Sequence, residues 1–260
     1  MELTKDLLYK EYIINGKSER ALAEELNVSI GKVDYWIGKY GLNYKTSNPD
    51  KVLNLSNISK NDPIFCYFAG LMATDGYIDY KNHRASVRVN NEGSYEVFSK
   101  LLKYFKHRKP VTVYKRNLKN LNDITIPSNI IINELDSMGI KGKKDTRSYS
   151  LDWYLSASED CKMMFLRGVS DGDGNFHNGV FRLSMKSQGF VENLIKSFNL
   201  LTNDIYVLRY TSNSSGTKYP NITLHKKDTK DVFSKIYKGY DDYKFTDKYT
   251  KFCEQVGDIV

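Results

Sequence analysis

"FLRGVSDGDGNF", residues 165–176, begins as an apolar helical pattern and ends in alternating Asp and Gly. "FAGLMATDGYID", residues 68–79, repeats the same design 98 residues earlier. Gly168 and Gly172 are four residues apart, and so they share one face of a helix. Gly70 and Thr74 have the same spacing in the earlier copy. Small residues on one face let two helices approach closely. The two stretches therefore predict a helix pair that ends in neighbouring aspartates.

Composition and charge favour a globular protein with a polyanionic partner. The chain has 260 residues, of which 40% are hydrophobic and 13% aromatic, and this content argues against disorder. Its net charge of +8 favours nucleic acid over membrane, because Lys and Arg replace the counterions of phosphates. The alternative from charge alone is a basic protein with a solvated surface.

Cysteine usage and hydropathy predict an intracellular, cytoplasmic protein. The three cysteines are far apart, and neither a CxxC pair nor a zinc-finger spacing of histidines occurs. The first residues, "MELTKDLLYKEYI", do not follow the pattern of a signal peptide. The longest apolar run, "FCYFAGLMA", is about half of a membrane span, so no membrane partner is expected.

The chain after the first Asp–Gly pair repeats itself once. Each copy reads as helix, two strands, helix, two strands and helix, with alternation in the short runs and helical spacing in the others. The predicted class is α+β, with two pseudo-symmetric αββαββα halves at residues 63–152 and 153–260. Residues 46–62 are rich in Asn, Ser and Lys and are predicted to be a linker.

Residues 1–45 are predicted to form a small all-α domain that resembles the helix-turn-helix of DNA-binding proteins. In "ERALAEELNVSIGKVDYWIGKYGL", residues 19–42, Asn27 suits the left-handed turn and Ser29 suits the cap of a recognition helix. Lys32, Tyr35 and Lys39 would face DNA, with Val33, Trp36 and Ile37 packed inward. An ordinary helical hairpin is the alternative.

The two Asp–Gly stretches resemble the LAGLIDADG motif, and the two copies resemble the single-chain, double-motif homing endonucleases. The resemblance covers about residues 62–256 and includes the order of elements. It implies a DNA-binding saddle that reads a pseudo-symmetric site as a monomer. The implied activity is sequence-specific double-strand cleavage of DNA with short 3′ overhangs, as in intron homing.

The paired aspartates suit catalysis by a divalent metal. Asp75 and Asp173 would repel each other unless cations lay between them. Mg²⁺ suits one carboxylate from each half, with Mn²⁺ as a substitute and Ca²⁺ supporting binding without cleavage. The backbone carbonyls of Thr74 and Gly172, next to the Asp–Gly pairs that end at Gly76 and Gly174, are further candidate ligands.

The resemblance also implies one lysine near the scissile phosphate in each half. "LDSMGIKGKKDTRSYS", residues 135–150, selects Lys144, with the adjacent Lys143 as the alternative. "YKFTDKYTKF", residues 243–252, selects Lys248. A surface lysine is the alternative for each. A further polar residue of the family corresponds to Asn91 in the first half and to Lys186 or Ser187 in the second.

Basic residues on the predicted strands are candidates for DNA binding, because alternate positions line one face of a sheet. With the flanking positions they are Arg84, Arg88, Lys115, Arg116, Arg182, Lys186 and Arg209.

Other interpretations of the Asp–Gly stretches require other residues or leave the repeat unexplained. An EF-hand is excluded, because its sixth and twelfth positions would be Phe176 and Arg182. Plain Asp–Gly turns do not explain the repeat. A non-cleaving transcriptional regulator on the same scaffold and an intron RNA maturase remain alternatives. Retention of Asp75 and Asp173 favours cleavage, although Ala73 replaces the earlier Asp of the motif in the first copy.

Overall fold

The computed structural model describes residues 3–14, 17–40, 42, 53–89, 92–105, 114–115, 122–202, 208–212, 216 and 218–257. The chain divides into two compact units. The first comprises residues 1–53 and 106–110, and the second comprises residues 54–105 and 111–260. Among the described residues, no helix has the length and apolarity needed to cross a bilayer.

The first unit is a small helical cluster. Its elements are α1 (Lys5–Leu8), a π-helix (Tyr9–Ile14), α2 (Glu19–Glu25) and α3 (Ile30–Lys39). The side chains of Ser18 and Ser29 accept backbone N–H groups at the starts of α2 and α3, as N-caps do. Between these helices Asn27 has a φ of 50°, in the left-handed region that asparagine tolerates.

The second unit contains two halves that share the same order of seven elements, and the second half has one more helix at its end. The first half consists of α4 (Pro63–Thr74), β1 (Gly76–Asp79), β2 (Arg84–Val89), α5 (Glu92–Tyr104), β3 (Tyr114–Lys115), β4 (Asn122–Pro127) and α6 (Asn129–Ser137). A 3-10 helix (Lys144–Thr146) and α7 (Leu151–Ser156) lead to the second half. That half consists of α8 (Glu159–Asp173), β5 (Gly174–His177), β6 (Val180–Ser184), α9 (Gln188–Asn199), β7 (Arg209–Ser212), β8 (Lys218–Leu224), α10 (Lys226–Ile236) and α11 (Thr246–Val256).

Both sheets are antiparallel and have equivalent strand orders, β1-β2-β4-β3 and β5-β6-β8-β7. The predicted α+β class with two αββαββα halves is therefore confirmed. The first hairpins differ in their turns. β5 and β6 are joined by Asn178 and Gly179 alone, both with positive φ, which is the two-residue turn that matches strand twist.

Each sheet buries one face and leaves the other accessible. In β2 the side chains of Ala85, Val87 and Val89 are buried, and in β6 those of Phe181 and Leu183 are buried. The intervening residues are more accessible. This alternation follows from the period of two in a strand with one covered face.

The C-terminal part of the predicted linker packs in the second unit. Residues Leu55–Asn57 form a 3-10 helix, and the side-chain amide of Asn57 donates a hydrogen bond to the backbone carbonyl of Tyr104 at 2.9 Å. Ile58 is buried. The linker then leads into α4, which begins at the Asp62 cap with Pro63 in its first turn. The preceding part of the linker, residues 46–52, lies outside the described residues.

Candidate active site

The residues that α4 and α8 present to each other are small, and this fixes how closely the helices approach. A Cβ on Gly168 would lie 3.1 Å from Gly70 Cα and 3.0 Å from the Leu71 amide nitrogen. A Cβ on Gly172 would lie 2.8 Å from the Cβ of Thr74. Backbone therefore faces backbone across this contact. Gly70, Thr74, Gly168 and Gly172 all lie in this contact.

Asp75 and Asp173 lie at the adjoining C-terminal ends of this helix pair. Asp75 caps α4, and Asp173 is the last residue of α8. The Lys144 Nζ lies 3.4 Å from Asp75 Oδ1 and 3.4 Å from Asp173 Oδ2. One ammonium thus bridges carboxylates from two halves of the chain. All three side chains keep partial solvent access, as a site for an external substrate requires.

The electrostatics of Asp173 show the cost of bringing the carboxylates together. Burial, and then the charge of Asp75, raise the pKa of Asp173 above its ordinary value, while Lys144 opposes the shift. A divalent cation between the two carboxylates relieves the same repulsion. Within the described part of the chain, no three His, Cys, Asp or Glu side chains cluster as a metal site. The pair fits a cation that takes its other ligands from phosphate and water.

Lys144 comes from a short 3-10 helix that an ion pair links to the second half. The neighbouring Asp145 contacts Lys186 Nζ at 2.9 Å. Both partners are more than half exposed, so the ion pair contributes little to stability by itself. The ion pair does bring Lys186, a predicted DNA-binding residue, beside the segment that carries Lys144.

Lys248 enters the same region from α11, on the side of the α8 backbone. Its Nζ donates to the carbonyls of Gly174 at 2.6 Å, Gly172 at 2.7 Å and Ser170 at 3.4 Å. Burial lowers the pKa of Lys248, and the surrounding aspartates oppose that shift. The Gly172 carbonyl, a predicted metal ligand, thus accepts a hydrogen bond from Lys248. The Thr74 hydroxyl donates back to carbonyls of its own helix.

Arg147 is a buried residue at the equivalent place in the first half, and the sequence reasoning missed it. Its Nη1 donates to the carbonyls of Met72 at 2.6 Å and Gly76 at 2.8 Å, around the end of α4. Its Nη2 donates to the carbonyl of Gly142 at 3.0 Å. Burial lowers the pKa of Arg147. The available signal was one arginine three residues after Lys144 in a lysine-rich segment.

A second missed group is the buried network around Asp171, the earlier aspartate of the second motif. Asp171 accepts from the Tyr67 and Tyr237 hydroxyls, both at 2.8 Å, and from the Phe245 amide at 2.9 Å. Burial raises the pKa of Asp171 to about 6. One turn earlier, the fully buried Arg167 donates to five carbonyls between residues 236 and 243. The network joins α8 to the segment that leads into α11.

The predicted DNA-binding residues of the sheets lie mostly at accessible positions. Arg84, Arg88, Arg182 and Arg209 are exposed on β2, β6 and β7, and the exposed Lys186 follows β6. The backbone of Lys115 lies in β3, whereas Arg116 and Asn91 are outside the described residues. Ser187 caps α9 by accepting from the Phe190 amide.

In the first unit, α3 has an exposed and a buried side. Lys32, Tyr35 and Lys39 are exposed, whereas Val33 and Ile37 are buried. Trp36 is half-buried, and Lys39 Nζ lies 4.3 Å from the centre of its ring. The exposed Ile30, at the start of the helix, was not among the residues predicted to face DNA.

Known structures with similar folds include homing endonucleases. The chain is 18% identical to homing endonuclease I-WcaI bound to its DNA recognition sequence, over 75% of this chain and 87% of that one, with a TM-score of 0.51. It is 13% identical to I-DmoI in complex with DNA and Mn, over 68% of this chain and 98% of that one, with a TM-score of 0.51. A variant of I-DmoI with its target DNA in the presence of Mg is 14% identical, over 68% and 97%, with a TM-score of 0.52. No protein-family model matches the sequence, and no curated protein does.

These similarities and the repeated halves define the class of the fold. The second unit has the LAGLIDADG fold, with its two motif helices packed at the centre and an Asp at the end of each. The resemblance that the sequence indicated is confirmed at this level.

Proposed function

We propose that the chain is a divalent-metal-dependent, site-specific endonuclease of double-stranded DNA. The observation that carries this function is the meeting of Asp75, Asp173 and Lys144 at the ends of α4 and α8. Two carboxylates from different halves, with one lysine between them, match the needs of phosphodiester hydrolysis at two strands. The DNA-bound and metal-containing structures of similar fold support the proposal.

In this proposal each residue has a defined role. Asp75 and Asp173 would hold Mg²⁺, or Mn²⁺ in its place, with nearby backbone carbonyls as further candidate ligands. When bound, the metal would supply the activation of water and the stabilisation of the attacking and leaving oxygens. Lys144, which faces the carboxylates, would offset the negative charge that develops on the phosphate oxygens.

The accessible faces of the two sheets are the proposed DNA-binding surface. Arginines project from β2 in the first half and from β6 and β7 in the second, so each half has basic groups for its own half-site. A single chain then reads a pseudo-symmetric site as a monomer. The resemblance to homing endonucleases implies that the two cuts are staggered and leave short 3′ overhangs.

We further propose that α3 reads duplex DNA beside the main footprint. Its exposed side carries Lys32, Tyr35 and Lys39, which combine phosphate-binding charge with an aromatic ring. A linked second module adds avidity because it binds at high effective concentration.

One experiment separates cleavage from the other functions of this scaffold. The protein is incubated with genomic DNA and Mg²⁺, and the DNA ends are sequenced. Ends that recur at one sequence with a fixed stagger are expected. Specific binding without new ends would instead identify a DNA-binding regulator, and selective binding of structured intron RNA would identify a maturase.

Asp75→Asn provides the residue-level test. The substitution keeps the size of the side chain but removes one of the two anionic metal ligands. Double-strand cleavage in Mg²⁺ should fall by at least about 100-fold, and DNA binding in Ca²⁺ should be retained. Asp152→Asn, at an exposed position on α7, is the matched control and should cut normally. Normal cutting by Asp75→Asn would show that the active site has been assigned incorrectly.

A further inference from the structure

At the end of each motif helix, a cationic side chain donates hydrogen bonds to a carbonyl of the last turn and to the carbonyl of the glycine that follows the aspartate. Arg147 Nη1 donates to Met72 at 2.6 Å and to Gly76 at 2.8 Å at the end of α4. Lys248 Nζ donates to Gly172 at 2.7 Å and to Gly174 at 2.6 Å at the end of α8, and reaches Ser170 at 3.4 Å. Arg147 is 1% exposed, and Lys248 is partly buried.

The acceptors correspond between the halves, although the donors come from different elements. Met72 and Ser170 are 98 residues apart, as are Gly76 and Gly174, which matches the spacing of the motifs. Arg147 directly follows a 3-10 helix, whereas Lys248 lies in the first turn of α11. The same interaction is thus formed twice with different side chains and different local structure. This repetition points to a shared requirement at the two helix ends.

The requirement is electrostatic and geometric. The C-terminal carbonyls of a helix lack intrahelical partners and carry partial negative charge. Here two such ends converge with two carboxylates, since Asp75 and Asp173 each have an oxygen 3.4 Å from the same Lys144 Nζ. A cation bonded to carbonyls before and after each aspartate offsets this charge and fixes the local backbone. The direction of each carboxylate follows from that backbone.

The number of hydrogen bonds made by Lys248 equals the number of its donors. An ammonium group has three N–H donors, and three carbonyls lie within reach of this one. Lys144, by contrast, faces the two carboxylates from a side chain that is 46% exposed. The two lysines selected by the sequence therefore occupy different chemical positions.

We propose that Arg147 and Lys248 are an equivalent pair of positioning residues, one for each half, which hold the ends of α4 and α8 and so set the geometry of Asp75 and Asp173 for divalent metal. The metal part of this inference rests on the proposed function. Neither residue needs to touch DNA in this role. Lys144 is then the lysine that meets the substrate.

The test compares Arg147→Met and Lys248→Met with the conservative variants Arg147→Lys and Lys248→Arg in the full chain. Lys141→Met and Lys251→Met are matched controls at exposed positions near each site. Mn²⁺ binding is measured by electron paramagnetic resonance without DNA. Hydrogen exchange is measured in parallel for the backbone of residues 70–77 and 168–175.

Both Met variants should bind Mn²⁺ at least about tenfold more weakly, the range found when a residue supporting a metal ligand is removed. The conservative variants should recover most of the affinity, and the controls should match the unmodified protein. Exchange should rise at the end of α4 in Arg147→Met and at the end of α8 in Lys248→Met. A lower melting temperature with unchanged Mn²⁺ affinity would overturn the positioning role.

The design also distinguishes failure of the inference from failure of the proposed function. If Asp75→Asn and Asp173→Asn change neither Mn²⁺ binding nor the cleavage of genomic DNA in Mg²⁺, the metal-dependent function is wrong. Hydrogen exchange then tests the positioning role of Arg147 and Lys248 by itself, because unchanged exchange at both helix ends would overturn that role. If a Met variant fails to fold, Arg147→Gln or Lys248→Gln replaces it, and unchanged Mn²⁺ affinity in both Gln variants would also overturn the positioning role.

Discussion

Gly168 shows at the residue scale why the motif contains glycine. Its hydrogen atoms face the backbone of α4, where Leu71 N and Gly70 Cα would lie within about 3 Å of an added Cβ. Backbone atoms of a buried helix cannot rotate away as a flexible side chain can, and so the two helices would have to separate. Separation would also pull apart Asp75 and Asp173.

We therefore expect Gly168→Ala to destabilise the protein by about 3 kcal/mol, at the upper end of ordinary overpacking costs. Gly189→Ala is the control, because this glycine lies in α9 with no atom closer than 4.0 Å to an added Cβ. Its effect should be within about 1 kcal/mol, since alanine favours a helix. Urea unfolding of the three proteins checks both values. Equal stability for Gly168→Ala would contradict the close packing of α4 and α8.

Asp171 predicts a specific dependence of stability on pH. Burial raises the pKa of Asp171 to about 6 from an ordinary value of 3.8. A carboxyl with a higher pKa in the folded state binds its proton more tightly when folded, so stability falls as pH rises through this window. The size of the effect is about 3 kcal/mol between roughly pH 4 and pH 7.

Asp171→Asn removes this titration and keeps an oxygen that can accept hydrogen bonds. Its free energy of unfolding should therefore decline less than that of the unmodified protein between roughly pH 4 and pH 7. Urea unfolding at both pH values in metal-free buffer measures the difference. Asp152→Asn, an exposed substitution, should leave the original decline in place. An identical decline in Asp171→Asn would show that this carboxyl does not titrate in the window.

At the scale of elements, alternate side chains of each strand lie on opposite faces of the sheet, so that one face is covered and the other is accessible. In β6, Phe181 and Leu183 are buried, and Arg182 between them is exposed. Its cross-strand neighbours are Asn175 on β5 and Thr223 on β8. A basic residue among short polar side chains is suited to the groove of a duplex.

Arg182→Ala should weaken DNA binding and change its dependence on salt. If the arginine neutralises one phosphate, the slope of log affinity against log salt should decrease by about one. If it reads a base, the slope should stay constant while the preference for one base pair is relaxed. Lys227→Ala, at an exposed position on α10, is the matched control and should leave affinity and slope unchanged. Unchanged affinity in Arg182→Ala would remove this strand from the proposed DNA-binding surface.

At the scale of the whole molecule, the chain combines a small helical unit with the larger LAGLIDADG unit. Each has its own buried core, and Leu8, Leu22, Val33 and Ile37 belong to that of the small unit. We expect deletion of residues 1–45 to weaken DNA binding and shorten the footprint at one end, because the linked module supplies avidity but no catalytic group. The cut position and Mg²⁺ dependence should not change.

Nuclease footprinting and salt titration measure the effect of the deletion. A triple substitution of Lys32, Tyr35 and Lys39 by alanine keeps the buried residues of α3 and serves as the matched surface variant. It should reproduce the shortened footprint, and the salt slope should decrease by about one for each phosphate that is no longer neutralised. An unchanged footprint and slope in both proteins would show that the first unit serves another partner or only folding.

The sequence by itself determined the class of fold and the central pair of residues. Both depend on local periodicity: four-residue spacing of small side chains, strand alternation and a repeat of the whole pattern. The positions of Asp75 and Asp173 could also be predicted, because each lies at the end of a helix whose periodicity is visible in the sequence. The short turn at Asn178 and Gly179 is local in the same way.

Only the tertiary structure decided which cations support the helix ends and which one faces the carboxylates. Arg147 meets α4 at carbonyls 71 and 75 residues away, and Lys248 meets α8 across more than 70. Such interactions depend on how distant segments pack, and their acceptors are backbone carbonyls that every residue type provides. The residue types of the sequence therefore did not indicate these hydrogen-bond partners. The same reason applies to Asp171, whose three hydrogen-bond donors lie 66 to 104 residues away.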